Sequence, residues 1–261
     1  MDVGIRSPFL DFFRRGEVAR DVRLLAARGA LAPRAHDQLA LLVLLTADGD
    51  SEIRDTAEAT LARIPGDSLA AFLGRSDVPD ALRDFFRARG TEPGLAAASS
   101  ADDPLIDIDS GEGETPEGEG EGARKGAGER LSMLNVSDRM RAAMKGTKEE
   151  RAILIRDPNK LVSVSVLSSP KLSESEVENF SKMANVSEEV LRIIGMNRNW
   201  IKNYGVIAGL TKNPKTPLAV SIRFVQRLTD RDLKLIAMDR NIQEALKAAV
   251  RKRLKGGDAK E

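Results

Sequence analysis

The chain holds a single histidine, His36, followed by Asp37, and no cysteine. Nucleophilic catalysis needs a nucleophile, a base and an orienting acid within reach of one another. A lone His-Asp neighbour pair at the start of a helical pattern is not that set, so His36 is read as a solvent-facing or capping residue. The lack of cysteine excludes disulfides, thiolate metal sites and thiol nucleophiles. Acidic pairs occur at Glu149-Glu150 and Glu188-Glu189. Both fall in the first turn of an expected helix, where the helix dipole accounts for them. No phosphate loop, dinucleotide fingerprint or zinc-ligand spacing is present. The glycines of 111–128 alternate with glutamates, which would repel a phosphate. The expectation is a protein that is not an enzyme and carries no cofactor or metal.

Groups suited to binding are better represented. Trp200 and Tyr204 are the only Trp and Tyr, four residues apart, and one helix would place them on one face. Arg198, Lys202, Asn203, Lys212 and Lys215 surround them in sequence. Aromatic rings among cations can read a partner peptide or stack a base. Packing of Trp200 between neighbouring helices would use the same residue without any ligand. A second basic cluster, Lys247, Arg251, Lys252, Arg253 and Lys255, ends the last expected helix. It either complements that helix's C-terminus or forms an electrostatic footprint. The candidate partner-binding residues are Arg198, Trp200, Lys202, Tyr204, Lys212, Lys215, Arg251 and Arg253.

These residues must be held by helices. Aromatics make up only 4% of 261 residues, which predicts an aliphatic core and favours packed helices over sheet sandwiches. No apolar run approaches 18 residues; the longest is Leu39–Leu45. The first ten residues lack the basic start and apolar stretch of a signal peptide. A soluble cytoplasmic protein without membrane contact is expected.

Charge divides the chain into three. Residues 1–96 carry 13 Arg, no Lys and 15 acids; residues 97–130 carry 3 bases and 10 acids; residues 131–261 carry 25 bases and 15 acids. The nets are −2, −7 and +10. The expected organisation is a helical lobe over 1–92, a disordered acidic linker over 93–130, a helical lobe over 131–256 and a disordered tail, 257–261. The linker's Gly/Glu composition offers too little apolar surface to fold alone. Its one apolar island lies in Asp102–Asp109, which is read either as part of a spacer or as a short docking motif.

In the first lobe, helices are expected over 8–15, 18–28, 34–46, 52–64, 68–73 and 79–89, with Gly29 closing the second and Ser51 capping the fourth. In the third piece, Thr147-Lys-Glu-Glu150 and Ser173-Glu-Ser-Glu176 are capping boxes, and Ser187 caps a helix led by Glu188 and Glu189. Asp157-Pro158 and Thr216-Pro217 are read as N-caps followed by proline at the first helical position. Arg156-Asp157, Arg198-Asn199 and Arg240-Asn241 recur at a spacing of 42 residues. Ser169-Pro170-Lys171 is echoed 44 residues on by Asn213-Pro214-Lys215. This recurrence predicts stacked units with an Arg ending one helix and an Asp or Asn capping the next.

Two stretches resemble known repeat families. Asp50-Ser-Glu-Ile53-Arg54-Asp-Thr-Ala57-Glu-Ala-Thr-Leu61 is similar to the second helix of a HEAT unit. That resemblance implies that Arg54 supports the turn and Ala57 lets helices approach closely. Asn213-Pro214-Lys-Thr-Pro217-Leu218, Asp232-Leu233-Lys-Leu235-Ile236-Ala237 and Asp239-Arg-Asn241 resemble bacterial HEAT-like or leucine-rich-variant repeats. The latter can hold an iron–sulfur cluster on cysteines, which this chain lacks. The resemblance implies an all-α fold, an α-solenoid of short helices, and a HEAT/armadillo-like adaptor or regulatory protein. Its basic C-terminal lobe would bind a protein partner, an acidic one by charge. Direct binding of nucleic acid by that lobe is the alternative, and a HEAT-type lyase the third.

Overall fold

The computed structural model describes residues 7–31, 34–94, 105 and 121–257, with side chains from 126 to 255 in the last stretch. Among them every regular element is a helix and no strand occurs. No helix among the described residues is long and apolar enough to cross a membrane. The chain divides into two compact units, residues 1–150 with 168–170, and residues 151–167 with 171–261.

Unit 1 begins with α1 (Pro8–Arg14), α2 (Arg20–Ala27), α3 (Ala35–Leu45), α4 (Ser51–Ala62), α5 (Gly66–Leu73) and α6 (Asp80–Arg87). The central helix is α3, with Leu39, Ala40, Leu41, Leu42, Val43 and Leu45 all buried. A helix apolar on all sides must be surrounded, and α1, α2 and α4 all pack on it. Gly29 ends α2 at φ +82°, a conformation that favours glycine. Asp50, not Ser51, is the N-cap of α4 and accepts from the Glu52 N–H at 3.0 Å. The core here is not purely aliphatic. Phe9, Phe12, Phe13, Phe72 and Phe86 are buried in it, because the few aromatics of the chain are concentrated in this unit.

The same unit continues through α7 (Glu121–Met133), α8 (Val136–Lys145) and the start of α9 (Lys148–Leu154). Residues 121–130, expected to lack structure, are thus helical. The division at 150/151, rather than 130/131, follows from α8, which buries Met140, Ala143 and Met144 and packs on α2. Most of the expected linker, including 106–109, lies outside the described residues.

Unit 2 holds the rest of α9, then α10 (Lys160–Val166), α11 (Glu174–Lys182), α12 (Glu188–Met196), α13 (Tyr204–Lys212), α14 (Leu218–Phe224), α15 (Asp230–Met238) and α16 (Glu244–Gly257). Short 3-10 turns, Trp200–Lys202 and Val225–Arg227, precede α13 and α15. Three helix pairs follow one plan. The caps Ser173, Asn203 and Thr229 each accept a backbone N–H at the start of α11, α13 and α15. In each pair the second helix begins 14 residues after the first. Counted from each cap, positions 4, 7, 13, 17 and 21 are buried: Val177, Phe180, Val186, Val190 and Ile194; Ile207, Leu210, Thr216, Val220 and Phe224; Leu233, Ile236, Ile242, Leu246 and Val250. The caps lie 30 and 26 residues apart, so the spacing varies only beyond the start of the second helix.

The 42-residue recurrence is therefore not the spacing of these pairs. None of Asp157, Asn199 and Asn241 caps a helix with its side chain. Asp157 instead accepts from the Asn159 N–H at 2.8 Å, and Asn159 caps α10. Asn199 precedes a 3-10 turn without a side-chain cap bond, and Asn241 lies in the turn after α15. Thr216 is buried in the connector and α14 is capped at Pro217. Ser169-Pro170-Lys171 joins α10 to α11, whereas Asn213-Pro214-Lys215 joins the two helices of one pair.

Second helices stack in sequence, α10 on α12, α12 on α14 and α14 on α16. First helices do so unevenly. The joint of α11 and α13 is extensive, while α13 and α15 touch only sparsely and α15 packs mainly on α16. Glycine explains the close joint. A Cβ at Gly205 would collide with the Glu178 carboxylate, and one at Gly209 with the Ser181 Oγ. The corresponding residues of α15 are Arg231 and Leu235, too large for such an approach.

Candidate functional site

Most of the groups weighed for catalysis are engaged in structure. His36 is not solvent-facing: its ring packs edge-on against Phe72 at 4.8 Å, and its Nε2 lies 3.5 Å from an Asp77 carboxylate oxygen. Glu150 closes the Thr147 capping box, accepting from the Thr147 N–H at 2.9 Å, and pairs with Arg130. Glu189 pairs with Arg192 at 2.6 Å. Among the described residues no group of three or more His, Asp or Glu could hold a metal ion. An open groove of about 570 Å³ runs along the solvent face of α4, lined by Arg28, Glu52, Asp55, Thr56 and Arg63.

The expected binding residues are distributed over four places. Trp200 and Tyr204 do not share a helix face. Trp200 opens a 3-10 turn, and Asn203 then caps a new helix that starts at Tyr204. Arg198 and Lys202 are exposed beside the half-buried Trp200, and Lys215 is exposed in the next connector. Arg251 is exposed but pairs with Glu244 at 2.8 Å, and Arg253 is half-buried.

Tyr204 and Lys212 do meet, on an acid that the sequence pattern does not single out. Asp232 accepts from the Lys212 ammonium at 2.6 Å and from the Tyr204 hydroxyl. The same hydroxyl accepts from the Thr229 N–H at 3.1 Å, tying α13 to the cap of α15. The Lys212 ammonium and the Tyr204 hydroxyl hold the Asp232 carboxyl below the usual range, against the opposing effect of burial. Lys212 is thus committed to a joint between helices.

A second ion pair is deeper. Arg151 donates from Nε and Nη2 to the two carboxylate oxygens of Glu176 at 2.9 and 3.1 Å, and both side chains are about 95% buried. Glu176 also closes the Ser173 capping box at 3.0 Å. Burial pushes its carboxyl up, but the Arg151 guanidinium and the Ser173 N–H and hydroxyl outweigh this and leave it below the usual range.

Also available, beside the exposed Arg198, Lys202 and Lys215, is a stripe on α15. Arg231, Lys234, Leu235 and Met238 stand at i, i+3, i+4 and i+7, which is one helix face. All four are exposed, Leu235 at 52% and Met238 at 82%. The signal is present in the sequence. Leu233, Leu235, Ile236 and Met238 are more apolar residues than a helix of nine needs for one buried face. No family model matches the chain, and no curated protein or solved structure shows significant similarity to it.

Proposed function

We propose that this chain is a HEAT/armadillo-like helical-repeat protein, an α-solenoid in unit 2, that binds a protein partner through its basic C-terminal unit and catalyses nothing. The observation that carries this reading is the triple recurrence of one helix pair with five core positions in step. A pair of short helices cannot bury its own apolar face, and stacking neighbours provides the core and an extended surface at once. Arg54 fits the same reading in unit 1, donating to the Asp48 carbonyl at 2.7 Å in the α3–α4 turn, with Ala57 fully buried. Unit 2 carries 21 basic and 12 acidic residues. Among the described residues, Arg198, Lys202 and Lys215 point no charge at an acid of the chain, which favours an acidic partner.

The test is capture from a lysate by the immobilised full chain, with and without nuclease. The reading predicts nuclease-resistant protein capture that falls with salt and in the triple variant Arg198→Glu, Lys202→Glu, Lys215→Glu. Capture lost on nuclease treatment would assign the basic unit to nucleic acid instead.

A further inference from the structure

We propose that the exposed stripe of α15 (Arg231, Lys234, Leu235 and Met238) docks an acidic helix of a partner protein, seated as α13 is seated on α11. This rests on the binding role given above and names the surface and the chemistry of the partner.

The internal repeat supplies the geometry. On α11, the face under Gly205 and Gly209 is formed by Glu178, Ser181 and Lys182. Counted from the caps, the equivalent residues of α15 are Lys234, Ala237 and Met238. That face is therefore continuous in kind with an interface the chain already builds, and Lys234 and Met238 on it are exposed. It carries Met238 in the open, and Arg231 and Leu235 stand exposed along its edge, as on a docking surface.

Charge selects the occupant. On α11 the face is neutral within itself, since Lys182 pairs with Glu178 at 2.6 Å. On α15 the acid is replaced by Lys234 and the lysine by Met238, with Arg231 one turn before. Two cations beside two apolar side chains call for carboxylates beside small or apolar ones. A second copy of the same stripe would bring cation against cation. The Gly205–Gly209 face of α13 shows the shape required, with small residues four apart; the acids must flank them.

The probe is a synthetic helix of roughly twenty residues, long enough to be helical alone. It is rich in Glu, with alanines four apart, and its counterpart has every Glu changed to Lys. Binding to the full chain is followed by fluorescence anisotropy. The acidic helix binds and the basic one does not. Leu235→Ser and Met238→Ser each weaken binding roughly fivefold or more. Arg231→Glu with Lys234→Glu removes it and its salt dependence. All four positions are exposed, and circular dichroism checks that the variants keep their helices. Failure of the acidic helix to bind, or equal binding by the Ser variants, overturns the proposal. So does self-association of the parent that Met238→Ser abolishes, or tighter binding of duplex DNA at the same residues. If Leu235→Ser and Met238→Ser leave the nuclease-resistant capture intact, this surface is ruled out while the broader function stands.

Discussion

Arg151 and Glu176 form a buried, two-pronged pair, and Glu176 serves a capping box as well. Removing one charge of such a pair strands the other in a dry environment. Glu176→Gln keeps the box, because Gln serves there as Glu does, but leaves Arg151 uncompensated. It should cost about 3–5 kcal/mol in denaturant unfolding, with Arg151→Met/Glu176→Gln recovering much of that. A double variant no more stable than Glu176→Gln alone would show that the charge pair is not the cause. The pair also fixes an acid response. The folded carboxyl titrates below its ordinary 4.5, so its stabilisation is complete above that value. It is lost as pH falls through the lower folded value, and the parent should lose more stability below pH 4.5 than Glu176→Gln does. The capping boxes at Thr147 and Ser173 are legible in the sequence because cap and acid lie three residues apart. The Arg151 pairing is not, since its partner lies 25 residues away and only tertiary packing joins them.

Three helices of unit 2 stop with one device used at two kinds of joint. Asn197, Asn213 and Asp239 each end a helix in extended backbone and accept from the N–H two residues on. Asn213 and Asp239 do so inside a pair, Asn197 between pairs. Asn197 and Asp239 stand 42 residues apart in similar sequence, although they end different members of the plan. The helices of residues 8–89 are readable from apolar spacing and punctuation to within a few residues, whereas α7, among glycines and charges, is not. The period is not, because local stop signals do not record which helix they terminate. The joint of α11 and α13 gives an element-scale test. Gly209→Ala pushes a methyl into the fully buried Ser181 and should cost about 1–3 kcal/mol. Gly205→Ala meets only the end of Glu178, which can rotate away, and alanine gains helix propensity. Its stability should stay within about 1 kcal/mol of the parent. Equal losses in thermal unfolding would refute the close-packing account, and Ser181→Gly should rescue Gly209→Ala alone.

Across the whole chain, an acidic unit 1 precedes a basic unit 2, and a count of charges along the sequence is enough to reveal it. What composition does not reveal is how evenly unit 2 is assembled. Its joints differ: glycines bring α11 and α13 into close contact, while α13 meets α15 through the polar contacts of Tyr204 and Lys212 with Asp232. In an array of nearest-neighbour contacts, stability is a local quantity summed along the chain. Native-state hydrogen exchange should therefore resolve two opening events in unit 2. Amides of α15 and α16 should exchange through a cheaper partial opening, with those of α11 to α13 protected up to global unfolding. Uniform protection from α11 to α16 would mean that the unit opens as one block. If the two events separate, the pair bearing the exposed Leu235 and Met238 is also the pair that frays first. Anything that clasps α15 would then raise its protection without touching the rest, making slowed exchange there a footprint of occupancy.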